Sequence, residues 1–335
     1  MTAQEQEQAI LFLKAAAIAG AIAAVLVLLG GLPWKSPRSM LVRLSQVLGV
    51  AIAFYVGCWF LGFALRWPTS ADPNASIVLP VVSSNQDRLL LLIVPALVLV
   101  EIVAAVLGRF RAVAWLPRLA IAALAARVIL HNGKYIKDWD GPGSATWSPD
   151  QIKMYLGGMG ALLAVVWASL AVMAKREAGK WSVPTALAVM CAGGGMNVIF
   201  YGDLTDGRIG IPISAALIGL VAAIFLLSGK TDVTGVIGLG IVILYSILLS
   251  GLFFSELRIL NAALIFAAPL LGLPVELPFA SRLKPTFRGH LRIVLIAAPV
   301  FVAVVLGFMQ HQKDAVATSA DSNEPTAEDY MNFGK

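Results

Sequence analysis

The sequence predicts an all-α, polytopic integral membrane protein of about ten transmembrane helices with both termini on the outer side. Three observations carry that expectation. Only 13% of the 335 residues are charged while 59% are hydrophobic, and the mean hydropathy is +0.84. A soluble domain has roughly a quarter of its residues charged. Apolar runs of about twenty residues, enough to cross a hydrocarbon core of about 30 Å, recur with short polar breaks. This composition excludes a soluble globular enzyme and a disordered scaffold. The net charge of +6 reads as loop lysine and arginine rather than a nucleic-acid footprint.

In order, the runs fall at about 9–32, 40–66, 88–108, 115–131, 151–174, 183–202, 208–228, 233–255, 258–273 and 289–309. The segment 258–273 is the shortest on its flanks, closed by Pro274 and Pro278, and a re-entrant course there would lower the count to nine. The first run follows a leader with Glu5 and Glu7 and no basic residue. A cleavable signal has a basic start and a shorter apolar stretch, so this segment is expected to stay as a helix. Ser36-Pro37 and Ser148-Pro149 place a capping serine before proline at a first helical position, and Gln151 completes a capping box with Ser148. Thr231-Asp232 precedes the run from Val233 in the same manner.

With ten passes, one set of five short loops holds Lys35, Arg38, Arg43, Arg109, Arg111, Arg118, Lys175, Arg176, Lys180, Lys230, Arg282, Lys284, Arg288 and Arg292. Lysine and arginine mark the cytoplasmic face, so the termini and remaining loops are assigned outside. That pattern suits a bacterial inner membrane. The chain divides into one membrane domain, 1–310, and a polar tail, 311–335, too acidic and too poor in apolar residues to fold alone.

Three stretches offer surfaces to the lipid bilayer or to other membrane subunits. Loop 67–87 holds Pro68, Pro73 and Pro80 around the aliphatic run Ile77 to Val82, with a sequon at Asn74 that matters only in a secretory setting. Loop 131–150 carries Lys134, Tyr135, Lys137, Trp139 and Trp147, and the tail ends with Tyr330 and Phe333. Pro95 and Pro269 share the spacing of Arg118 and Arg292, but the surrounding identity does not establish a repeat.

An ionisable side chain within a span is costly, which makes Glu101 the first candidate for a solute or ion pathway. Its plainer reading is a structural hydrogen bond to a neighbouring helix. Arg127 lies too far from it in depth on straight helices and is expected to snorkel outward, as is Lys14. The run Gly193, Gly194 and Gly195, followed by Asn197 and Tyr201, is the strongest irregularity in any span. It reads either as a broken helix with freed backbone at a substrate site or as a close helix contact.

Asp138, Asp140, Asp150, Asp203, Asp206 and Glu256 fall on the outer side, and would form an acidic vestibule if folding gathers them. Asp138-Trp139-Asp140-Gly141 lacks the later acidic ligand of a calcium loop. Cys58 and Cys191 lie in apolar runs without metal spacing. His131, His290 and His311 do not pair within helices as haem ligands would. No hydrolase, metalloprotease or nucleotide-binding motif occurs, so no metal, cofactor or catalytic residue is assigned. The sequence favours a secondary transporter or permease for a small solute. The alternative is a non-catalytic subunit of a larger membrane complex. A transporter should enclose a hydrated cavity lined by Glu101 and Asn197.

Overall fold

The computed structural model describes residues 3–31, 40–63, 84–107, 112–131, 133, 135–136, 146–176, 179–227, 232–278 and 282–321. Among these the chain is all-α, and each of the ten expected runs is a helix: α1 (Ala3–Gly31), α2 (Met40–Phe60), α3 (Asn85–Val106), α4 (Leu116–Ile129), α5 (Pro149–Ala174), α6 (Gly179–Phe200), α7 (Gly210–Leu226), α8 (Thr234–Phe254), α9 (Ile259–Gly272) and α10 (Pro285–Asp321). Nine are long and apolar enough to cross a membrane, α7 with the one-turn helix Leu204–Gly207 before it and α9 with the 3₁₀ turn Leu273–Glu276 after it. The protein is therefore a multi-pass membrane protein. The exception to the length criterion is not 258–273, as its prolines suggested, but α4. Its 14 residues span about 21 Å at 1.5 Å per residue.

Helix α8 forms the axis of the bundle. Its residues Gly235 to Gly251 are buried without interruption, so its sequence is apolar all round rather than striped. Helices α2, α3, α4, α5, α6, α7 and α9 pack around it. Helices α1 and α10 lie at the periphery, with only 22% and 28% of their apolar windows buried by protein. Their remaining leucine, valine and phenylalanine side chains, such as Leu13, Val25 and Phe301, face outward where lipid would lie.

Two helix starts match their sequence signatures. Ser148 and Gln151 form the capping box of α5, at 2.9 and 3.3 Å. Asp232, one residue before the N-cap of α8, accepts the backbone N–H of Thr234 at 3.2 Å and its hydroxyl at 2.6 Å. Helix α3 starts earlier than its apolar run, because Ser84 and Asp87 make a capping box and draw Asn85 to Arg88 into the first turn. It then widens into a π-helical turn, Leu89–Ile93. Pro95 explains the widening: it has no N–H for the carbonyl behind it. The carbonyl left over, that of Leu90, accepts the hydroxyl of Tyr55 from α2.

Successive helices run in opposite directions, which separates the two ends of the bundle by charge. One end gathers Arg43, Arg118, Arg176, Asp232, Glu276 and Arg292. The other gathers Asn85, Asp203, Asp206, Ser255 and Asp314. We call these the basic and the acidic end. Helix α10 continues beyond its apolar part to Asp321, so residues 311–321, grouped with the polar tail on composition, are helical. Loop residues 64–83 and the segment 322–335 lie outside the described residues. The described part of loop 131–150 folds back onto the bundle, where Tyr135, Trp147, Tyr155 and Phe253 pack with ring centroids 4.8 to 5.5 Å apart.

Candidate functional site

Glu101 is 3% exposed on α3 and lies about five residues, some 8 Å, from the basic end of that helix. Its partner is Arg118, in the first turn of α4. Nε of Arg118 donates to Oε1 at 2.8 Å and Nη2 to Oε2 at 2.5 Å, a bidentate pair. The ring of Trp115 stacks 5.3 Å from the guanidinium. Space for the carboxylate comes from glycines on α8: a Cβ at Gly238 would stand 2.9 Å from Oε1, and one at Gly235 3.3 Å from Oε2. Arg43 and Asp232 form a second pair at 2.5 Å nearby. Arg118 and Arg292, counted from the sequence as loop cations, are both drawn into buried or nearly buried ion pairs.

The glycine run does not break its helix. Helix α6 is continuous through Gly193, Gly194 and Gly195, and each glycine admits a different neighbour. Gly193 lies against Val300 of α10. A Cβ on Gly194 would meet Leu244 of α8 at 2.7 Å. Gly195 abuts the backbone carbonyl of Gly207. The broken-helix expectation is therefore corrected in favour of close packing. Asn197, fully buried, completes the same face. Its Nδ2 donates to the carbonyl of Gly193 at 3.1 Å, and its Oδ1 accepts from Nδ2 of Asn261 on α9 at 3.0 Å. The Asn261 amide also lies 3.2 Å from the Ala303 carbonyl and 3.4 Å from the Tyr201 hydroxyl. Asn261 was missed in the sequence, although a lone amide within an apolar span was there to be seen.

At the acidic end the expected vestibule divides in two. An open cleft of about 520 Å³ is walled by Phe200, Tyr201, Gly202, Asp203, Phe254, Ser255, Glu256, His311 and Asp314. Its size suits a small solute. Asp203 and Glu256 line it, whereas Asp150 is exposed elsewhere and pairs with Lys153 at 3.5 Å. Asp138 and Asp140 lie outside the described residues. Asp206 is not a solvated loop residue: it is 6% exposed beneath the cleft. The carboxylate of Asp203 caps the turn that carries it, accepting the Asp206 N–H at 2.9 Å.

Around Asp206 the hydrogen bonds all point one way. Arg88, itself buried, donates to Oδ1 of Asn85 at 3.2 Å and to the Ile129 carbonyl at 3.3 Å. Nδ2 of Asn85 donates to Ser250 at 3.4 Å, and the Ser250 hydroxyl donates to Oδ2 of Asp206. Gln86 donates to Oδ1 at 2.7 Å. A cation and a carboxylate are thus joined through two neutral side chains rather than by contact. Among the described residues Asp206 forms no direct ion pair. Beside it lies a small, partly open pocket of about 10 Å³, lined also by Leu89, Ser246 and Ile247, with room for about one water. The sequence signal for this site was the polar run Asn85-Gln86-Asp87-Arg88 opening a span, facing Ser246 and Ser250 one turn apart on an otherwise apolar α8.

No known protein family, no curated protein and no solved structure matches the chain. Among the described residues no group of three or more His, Cys, Asp or Glu side chains is placed to hold a metal ion. Cys58 and Cys191 are buried free thiols.

Proposed function

We propose that the protein is a secondary transporter for a small solute, with Asp206 rather than Glu101 as its coupling carboxyl. The observation that carries this reading is the position of Asp206: buried in a span without a direct cation, beside a water-sized cavity, and one helical turn below an open cleft. A coupling group must exchange a proton or cation with one side and then be sealed from it. Glu101, locked by Arg118, fits a different role. With Arg43–Asp232 and with Glu276 between Arg176 and Arg292, it ties helices together at the basic end while the acidic end stands open. Solute would enter from the cleft, and proton uptake by Asp206 would weaken the hold of α7 on α3 and α8. By the distribution of lysine and arginine, the cleft faces the periplasm of a bacterial inner membrane.

The test is a solute screen on proteoliposomes containing a trapped pH-sensitive dye. The expected result is a solute-dependent pH change that Asp206→Asn lowers at least tenfold. Flux that survives in Asp206→Asn overturns the assignment.

One observation favours a second reading, a non-catalytic subunit of a membrane complex. Glu101 and Asn197, which a solute cavity was expected to expose, are both closed off by protein partners. Native mass spectrometry from the source membrane separates the two. A fixed stoichiometry with other chains supports the subunit, and a lone monomer or homodimer the transporter.

A further inference from the structure

We propose that the basic end carries a binding site for the phosphate headgroup of an anionic phospholipid, built where the first turns of α6 and α10 abut. This inference is independent of the transport reading. The two turns meet closely: Gly289 lies flush against the indole of Trp181, whose ring centroid is 5.1 Å from that of His290 and 5.9 Å from that of Phe225. Lys284, Arg288 and Arg292 recur every fourth residue and so form one column, with steps of about 6 Å.

The floor of that column is spoken for. Arg292 is 1% exposed, donates to the Ser182 hydroxyl at 2.5 Å and pairs with Glu276. The level above it is not. Arg288 is half-buried, and its Nε is shielded from solvent with no hydrogen-bond partner among the described residues, as is the Nε of Arg292. A buried guanidinium donor without an acceptor is costly, and an anionic oxygen supplied from the membrane removes the cost. Lys175, Arg176, Lys180 and Arg282 add positive charge around the column. Against these seven basic residues the sequence sets two carboxylates in 175–182 and 276–292, Glu177 and Glu276.

Three features identify a lipid headgroup. Trp181, half-buried, supplies the amphipathic ring that settles at headgroup depth. The long helix α10 begins here, so its N-terminal dipole points the same way. The apolar continuation of α10, with Val294, Phe301 and Val302 exposed, offers a track for the acyl chains. A basic pocket of this type selects net-negative headgroups over zwitterionic ones, whose ammonium would meet the arginines.

The experiment is native mass spectrometry of the delipidated full chain titrated with phosphatidylglycerol, phosphatidylcholine or inorganic phosphate, with thermal stability read in parallel. We expect one phosphatidylglycerol retained per chain at concentrations where phosphatidylcholine is not. Arg288→Gln should weaken that retention at least tenfold and abolish the accompanying stabilisation, and Lys284→Gln should weaken it less. Lys153→Gln, at the acidic end, should behave as wild type. Equal retention of the two lipids overturns the proposal. So does undiminished phosphatidylglycerol retention in both Arg288→Gln and Lys284→Gln. Phosphate binding that depends on Arg288, without lipid retention, makes this a soluble-anion site and overturns the lipid assignment. If Arg288→Gln fails to fold, Lys284→Gln decides.

Discussion

Arg118 and Glu101, seventeen residues apart in sequence, meet through two parallel hydrogen bonds across the turn from α3 to α4. The carboxylate is buried and the guanidinium largely so: the Arg118 and Glu101 side chains are 13% and 2% exposed. Such a pair has a distinct mutational signature. Removing one partner leaves an uncompensated buried charge and costs about 3–5 kcal/mol, whereas replacing both by apolar residues can be close to neutral. Arg118→Met should therefore lower the thermal midpoint more than Glu101→Met, because the carboxylate left behind is the deeper charge. Glu101→Met/Arg118→Met should recover most of the loss. A double variant that loses the sum of the two single losses would show that the pair is not coupled.

The glycines of α6 and α5 should respond in opposite ways to alanine. A methyl group at Gly195 would run into the Gly207 backbone, which cannot yield as a side chain can, while at Gly157 on α5 it meets nothing within 4 Å. Gly157→Ala should raise stability by up to about 1 kcal/mol through helix propensity. Gly195→Ala should lower it, by unfolding measurements in the same detergent. Equal effects at both positions would contradict the packing assigned to Gly195.

Asn261 holds α6, α9 and α10 together with a single amide group. Asn261→Leu strands the Asn197 amide oxygen in the membrane interior, at a cost of about 1–3 kcal/mol, whereas the Ala303 carbonyl keeps its bond within α10. Asn197→Leu in the same background should add less than it does alone, since both then remove one contact. Additive losses would mean that the two amides act separately.

His131 gives the fold a weak pH dependence at the acidic end. Partial desolvation, and after it the charges of Arg88 and Arg127, hold its imidazole below the ordinary value of 6.5. The unfolded chain takes up this proton first on acidification, so the contribution to stability is complete above about pH 6.5 and is lost as pH falls through the lower folded value. The side chain is exposed, so the effect should be small. His131→Gln should flatten the decline in thermal midpoint between pH 7 and pH 5, and an unchanged slope would assign that decline elsewhere.

The helices were legible in the sequence because length and hydropathy alone define a membrane span. The register of the polar groups was not, because that depends on which helices become neighbours. Glu101 was visible as an intramembrane carboxylate, but Arg118 was counted as a loop cation, since the turn after α3 gave no sign of folding back. Asp206 was taken with the solvated loop acids for the same reason: the one-turn helix Leu204–Gly207 that buries it is too short to leave a periodic pattern. The triple glycine was recognised as an irregularity, yet sequence could not separate a break in a helix from three close approaches by three different neighbours. Gln86, Arg88 and Ser250 gain meaning only once α3, α4 and α8 are seen side by side.

Helix α4 reaches about 21 Å beside α5, whose 26 residues extend close to 39 Å. Leu116, Leu119 and Leu124 of α4 are exposed, and with the 3₁₀ turn Val113–Trp115 before it the helical path reaches about 27 Å, a little short of a bilayer core of about 30 Å. Mismatch of this sign draws the adjacent leaflets inward, at a cost of a fraction of a kcal/mol per Å. A bilayer should therefore be thinner beside α4 than beside α5. The protein should partition towards thinner membranes, and its packing around Glu101 and Arg88, at the two ends of α4, should loosen in reconstituted bilayers of longer acyl chains.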